Sequence, residues 1–227
     1  MIKFLSNLIS KPSVRIAPIT CGYLEYLWGY KILRRLRVFP CNEDIDLYAY
    51  SKEAFARFGV LRNQRHLETP FGLMAAIPDV NLNSLLCIGP RFTAELCVAE
   101  SFGFKREGIK AVDLFTFSER IDVGDMHNMP YASNSFSNVM AARLLAYSKN
   151  PAEAAAEFTR VLTVGGYLYV SGDSTYKLKD YDVFFNNCTR VFGVENTSLY
   201  NSKYADLVKN SDCKCTIAIY KKLPEFH

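Results

Sequence analysis

The sequence predicts an α/β fold: a mainly parallel sheet with helices on both faces, behind a mostly helical N-terminal extension. Three observations carry this. From residue 81 onward, short apolar runs alternate with stretches of helical periodicity. The runs are apolar throughout, as strands buried on both faces must be. The clearest helical stretch lies between two such runs, the arrangement of a right-handed crossover.

The elements follow in order. Residues 1–40 form a leader punctuated by Pro12, Pro18, Gly22, Gly29 and Pro40. "NEDIDLYAYSKEAFARFG" reads as one helix, with Asn42 as its cap and Gly59 at its end. "ETPFGLMAAIPDV" reads as loop, with His66 just before it on a lid. "SLLCIG" is the first strand and "TAELCVAESFGF" a helix. "GIKAVDLF", "ERIDVGD" and "FSNVMAARLLA" are the next three strands. "NPAEAAAEFTRVLTVGG" is a helix with Pro151 in its first turn, one stripe of Ala154, Ala155, Phe158, Val161 and Leu162, and Gly165 and Gly166 as its stop. "YLYVSG" and "CKCTIAIYKK" complete the strands. The chain thus divides into an N-terminal helical extension or lid, residues 1–80, and an α/β domain, residues 81–227.

Composition narrows the function classes. An apolar fraction of 49% and a charged fraction of 22% are those of a folded chain. No apolar run reaches the roughly 18 residues of a membrane span, so no transmembrane segment and a cytoplasmic location are expected. The seven scattered cysteines read as small buried hydrophobes. Cys213 and Cys215 lack a second ligand pair, so no metal is expected. The net charge of +4 conceals an asymmetry: residues 1–40 carry seven Lys and Arg against one acid, Glu25. This basic, aromatic leader reads as a helix docked on the domain or on a second copy, leaving room for a homodimer through the N-terminal region. An interfacial patch for an anionic acceptor or lipid surface is the other reading. No nucleic-acid partner is expected.

In such a sheet ligands bind at the carboxyl ends of the strands, near the switch in strand order. The first strand runs into Gly89, Pro90 and Arg91. The second ends in Asp113, followed by Leu114 and Phe115; the third in Asp125 and Met126, followed by His127; the fourth at Ala142 and Arg143. Asp113 lies 24 residues beyond Gly89, the offset at which a carboxylate reaches both ribose hydroxyls. Asp125 can accept from an adenine amino group while Met126 covers the ring. The turn after Gly89 suits a pyrophosphate poorly: Pro90 removes a donor, and Arg91 and Phe92 obstruct close backbone approach. That disfavours a nicotinamide oxidoreductase.

Residues 84–172 resemble class I S-adenosylmethionine-dependent methyltransferases of the small-molecule type. The resemblance is carried by "GDMHNMPYASNSFSNVMAARLLAYSKNPAEAAAEFTRVLTVGGYLYVS", Gly124 to Ser171. It implies a Rossmann-like fold and S-adenosylmethionine as cofactor, with Gly89 as the first glycine of the glycine-rich turn, Asp113 as the ribose acid, Asp125 and Met126 as the adenine pair, and Ala142 and Arg143 lining cofactor and acceptor. The family's acid two positions before the first glycine is here Cys87, and its later glycines fall on Arg91 and Thr93. Ser137, Thr163 and Val164 also depart from the pattern. Arg91 could hold the cofactor's carboxylate and Glu95 its ammonium, or the two could pair with each other at i, i+4. Candidate bases are His127 and Tyr147; Arg143 and Tyr131 are candidate acceptor contacts. The implied activity is methyl transfer to a small-molecule or glycan-like acceptor, at oxygen. The alternative is a catalytically inactive methyltransferase-like subunit with an assembly or regulatory role.

Overall fold

The computed structural model describes residues 24–40, 65–90, 92–172, 175–197 and 215–224. A wide helical turn, Tyr26–Ile32, leads into the short strand β1, Arg37–Val38. Then come α1 (Arg65–Ala75), β2 (Leu85–Ile88), α2 (Thr93–Ser101), β3 (Ile109–Asp113), β4 (Phe115–Thr116), β5 (Asp122–Val123) and β6 (Phe136–Ala142). After them follow α3 (Pro151–Val161), β7 (Leu162–Gly172), α4 (Leu178–Phe184), β8 (Cys188–Thr197) and β9 (Cys215–Lys222).

Seven strands form one sheet in the order β5-β3-β2-β6-β7-β9-β8. The first five are mutually parallel, and β9 runs antiparallel to both β7 and β8. The chain builds outward from β2 through β3 to β5, then returns to place β6 on the other side of β2. The order therefore switches between β2 and β6, the place where sheets of this kind bind ligands at the strands' carboxyl ends.

Strand alternation divides the core into two layers. Leu86 and Ile88 of β2, Val139 and Ala141 of β6, Leu168 and Val170 of β7 pack with Ala154, Ala155, Phe158 and Val161 of α3. Leu85, Cys87, Met140, Tyr167 and Tyr169 point the other way, onto Phe71 and Met74 of α1 and Leu96 and Ala99 of α2. Helices thus cover both faces, as the runs of apolar residues require.

Three local readings are corrected. The stretch taken as loop, residues 68–80, contains most of α1, and His66 lies in that helix rather than in a loop. Pro70 sits inside the helix and costs it one backbone donor, a penalty of about 3 kcal/mol. Burial of Phe71 and Met74, 1% and 0% exposed, offsets this, at roughly 1.5–3 kcal/mol each. Second, α3 stops at Val161, and residues 162–166 belong to β7. The pairing passes from Phe136↔Leu162 to Asn138↔Tyr167, so four residues of β7 bulge opposite one of β6. Gly165, at φ +75°, makes that bulge, and a Cβ on Gly166 would meet the Ser137 carbonyl at 2.7 Å. Third, β8 is an edge strand that the sequence pattern did not reveal. The helix expected over residues 42–59 lies outside the described residues, as does Cys213.

Lys222 closes the β7–β9 end of the core. It is 5% exposed, and its Nζ donates to Asn134 Oδ1 at 2.9 Å and to the carbonyls of Thr159 and Leu162 at 2.7 and 2.8 Å. The two carbonyls lie at the C-terminal end of α3, where a cation is favoured. Lys222→Met should cost about 2–4 kcal/mol in urea unfolding, because it leaves buried acceptors unpaired. A loss under roughly 0.5 kcal/mol would refute that role.

Candidate cofactor and acceptor site

The site begins at the turn after β2. Gly89 has φ +76°, and its N–H donates to the Val112 carbonyl at 2.8 Å. A Cβ there would meet Leu144 Cδ1 at 2.9 Å, so the residue must be glycine on both counts. Pro90 is buried behind it; Arg91 lies outside the described residues. Glu95 is buried on α2, 8% exposed. Burial pushes the Cys87 thiol up, and the nearby charge of Glu95 pushes it further.

Two carboxylates stand at neighbouring strand tips. Asp113 ends β3, and its Oδ1 accepts from the Phe115 N–H at 3.0 Å. Asp125 follows β5 and is joined to His127 twice. Its Oδ1 accepts from the His127 backbone N–H at 2.9 Å and faces ring Nδ1 at 2.6 Å. The other ring nitrogen, Nε2, lies 2.7 Å from Ser148 Oγ. Met126 is half-buried against the α3-side core. Ala142 ends β6. Arg143 takes φ 55°, a left-handed conformation that costs a non-glycine residue about 1 kcal/mol or more, at the point where the chain leaves β6. Tyr147 is half exposed in that loop.

Tyr131 is held at the sheet edge. Its hydroxyl donates to Asp122 Oδ2 at 2.8 Å, and its ring packs edge-on against Phe136. Burial, and then the Asp122 carboxylate, push its phenol well above the ordinary range.

The leader lies across the start of α2 and the segment after β3. Tyr26 and Tyr30 pack on Phe92 and Phe117, β1 pairs with β4, and the Phe39 N–H donates to the Leu114 carbonyl at 2.8 Å. Leu114 and Phe115 are therefore partly covered by the leader. Glu25, its lone acid, reaches the first turn of α2: its carboxylate accepts from Thr93 Oγ1 at 2.7 Å and from the Thr93 N–H at 3.3 Å. Phe92 at the N-cap has no side chain to do this, so Glu25 caps the helix from a distance in sequence.

The loop between Asp125 and β6 is clamped to α3. Glu157 Oε1 accepts from the Met129 N–H at 2.7 Å. Arg160 pairs with Glu157 at 2.6 and 2.7 Å and donates to the Met129 carbonyl at 3.3 Å. Sequence reasoning missed the parts played by Ser148, Glu25 and this Glu–Arg pair. Glu25 had a signal, a single acid in a basic stretch; Ser148 had none.

A positive-φ glycine turn at the switch point, flanked by two strand-tip acids, is an arrangement with which an α/β sheet can hold an adenosine-containing cofactor. Residues 104–170 match the family model described as "Methyltransferase domain". The match covers 67 of the 227 residues, and that segment is similar to methyltransferase domains. No curated protein matches the chain. Three solved structures share its fold. One is the complex between the Haloferax volcanii Trm112 methyltransferase activator and the putative methyltransferase, at TM-score 0.56 and 14% identity, covering 80% of this chain and 97% of that one. The second is a Mesorhizobium loti S-adenosylmethionine-dependent methyltransferase, at 0.53 and 12%, covering 69% and 98%. The third is the N-methyltransferase NodS from Bradyrhizobium japonicum WM9 with S-adenosyl-L-homocysteine, at 0.52 and 16%, covering 71% and 87%. Among the described residues no helix is long and apolar enough to cross a membrane.

The Arg160 guanidinium, against the opposing pull of burial, holds the Glu157 carboxyl below its ordinary range. A depressed carboxyl contributes stability above its unfolded pKa of 4.5, and the contribution is lost as pH falls through the folded value. Glu157→Gln should therefore cost about 1–3 kcal/mol at pH 7. Its stability should also fall less steeply with acid than that of the parent. Parallel curves of unfolding free energy against pH would show that the pair carries no such linkage.

Proposed function

We propose that this chain binds S-adenosylmethionine in the crevice between β2 and β6 and transfers its methyl group to an oxygen of a small-molecule or glycan-like acceptor. The observation that carries the reading is the pair Asp113 and Asp125 at the tips of neighbouring strands β3 and β5, beside the Gly89 turn. Asp113 would accept from the ribose hydroxyls. Both internal bonds to Asp125 fall on Oδ1, which leaves Oδ2 for the adenine amino group, with Met126 against the ring. Bound cofactor supplies an electrophilic methyl on a sulfonium. The chain's own task is to orient the acceptor beside it and exclude water.

The acceptor would lie against the loop after β6. Arg143 and Tyr147 belong to it, and His127 reaches it from the far side through Ser148. An alcohol acceptor needs a proton acceptor, and His127, oriented by Asp125, supplies the imidazole. The leader forms one wall through Tyr26, Tyr30 and Glu25. Leu24, Trp28 and Ile32 stay exposed on its outer side, the face that a second copy would cover in a homodimer.

Calorimetry with S-adenosylhomocysteine tests the reading. The folded protein should bind it, and Asp113→Ala should weaken binding at least about tenfold, the worth of a charge-assisted hydrogen-bond pair. A folded protein that binds neither S-adenosylhomocysteine nor S-adenosylmethionine would instead be the inactive, subunit-like relative.

A further inference from the structure

Asp125, His127 and Ser148 belong to a longer chain of hydrogen bonds. Beyond the two contacts of the imidazole, Ser148 Oγ accepts from the Asn150 N–H at 3.1 Å, and Asn150 Oδ1 accepts from the Glu153 N–H at 3.3 Å, capping α3. The partners assign the roles. Nδ1, facing a carboxylate, carries the proton, so Nε2 accepts and the Ser148 hydroxyl donates to it. Every donor in the series therefore points toward Asp125, and the bonds from the Asn150 N–H through Ser148 and the imidazole to Asp125 polarise one another.

The position of this chain in the fold is informative. In the sheet, β3 and β2 lie between β5 and β6. The sheet itself thus keeps apart the loop after β5, which holds Asp125, and the loop after β6, which holds Ser148. The imidazole joins them. The near end of the β6 loop is already pinned: Arg143 is in a left-handed conformation with its N–H on the Ser171 carbonyl at 2.7 Å, and Leu144 stands over Gly89. The Ser148 bond fixes the far end.

We propose that the His127–Ser148 bond couples cofactor occupancy at Asp125 to order in residues 143–150, the loop that faces the methyl acceptor. This rests on the reading of Asp125 as the adenine-facing acid. A donor on Oδ2 fixes the carboxylate, and hence Oδ1, the imidazole and the Ser148 hydroxyl. Ser148 is then a positioning residue, His127 adds this coupling to its proposed part as proton acceptor, and acceptor binding is favoured once the cofactor is in place.

Backbone hydrogen exchange over residues 143–150, with and without S-adenosylhomocysteine, tests the coupling in the full chain. In the parent protein the ligand should slow exchange there about five- to tenfold, the factor one hydrogen bond of ordinary strength supplies. Ser148→Ala should still bind the ligand but bring that ratio close to one, and Ser148→Thr, which keeps the hydroxyl, should restore it. His127→Gln, which can still reach Ser148 but gives up Asp125, should also lose the ratio. A merely structural role for Ser148 would speed exchange equally in free and bound protein; an unchanged ratio in Ser148→Ala therefore overturns the proposal. So does a parent protein that binds the ligand with no slowing in this loop. A folded parent that binds no S-adenosylhomocysteine would remove the cofactor reading itself, and the coupling with it.

Discussion

The turn at Gly89 is the constraint on which the rest of the site depends. Strand β2 must end there in a conformation with positive φ, because its N–H is committed to the Val112 carbonyl of β3. The same residue must lack a side chain, because Leu144 from the loop after β6 occupies the space above it. One glycine thus joins the carboxyl ends of three adjacent strands. The family's later glycines serve approach of a ligand to the backbone, and here those positions hold other residues. The glycine that serves the sheet itself is retained.

The motif that carries the resemblance divides physically into two parts. Glu157 and Arg160 form a clamp that holds the loop of residues 125–135 against α3. They contact this loop at Met129, four residues beyond Asp125. The departures at Ser137, Thr163 and Val164 fall elsewhere. Ser137 stands at the amino end of β6, where its N–H donates to Ser84 Oγ at 3.3 Å, and the other two lie in the bulge beside it. These three positions are at the opposite end of the strands from the crevice. Their loss bears on how the sheet is closed, away from the strands' carboxyl ends.

What the sequence made legible follows the same division. Strand–helix alternation fixed the parallel core and both helix layers, because burial on two faces leaves an unbroken apolar run that few other structures produce. Asp113 and Asp125 could be placed from spacing because strand tips are rigid. Where propensity and packing disagreed, the sequence misled: Pro70 argued for a loop, while Phe71 and Met74 secured a helix. Contacts made across long separations left no local trace. Glu25 meets Thr93 across 68 residues and Ser148 meets His127 across 21, and neither pair has a motif. The edge strand β8 lacks the two-faced burial that betrays the others.

The two ends of the crevice are built by different means. At the end proposed for the adenosine, Asp113 ends β3 and Asp125 lies two residues beyond β5, so the register of the sheet sets where they stand. At the turn and the start of α2, the surroundings come from the leader. Glu25 already engages the Thr93 N–H, and Ser118 Oγ lies 2.6 Å from Thr93 Oγ1, which leaves the first turn of α2 capped within the protein. In the proposed binding mode a cofactor carboxylate would therefore share that first N–H with Glu25, as it would not at an uncapped helix start. In that mode its charge partner would then be another side chain. The sheet would place the adenosine, and the leader would form the wall that a methionine tail meets.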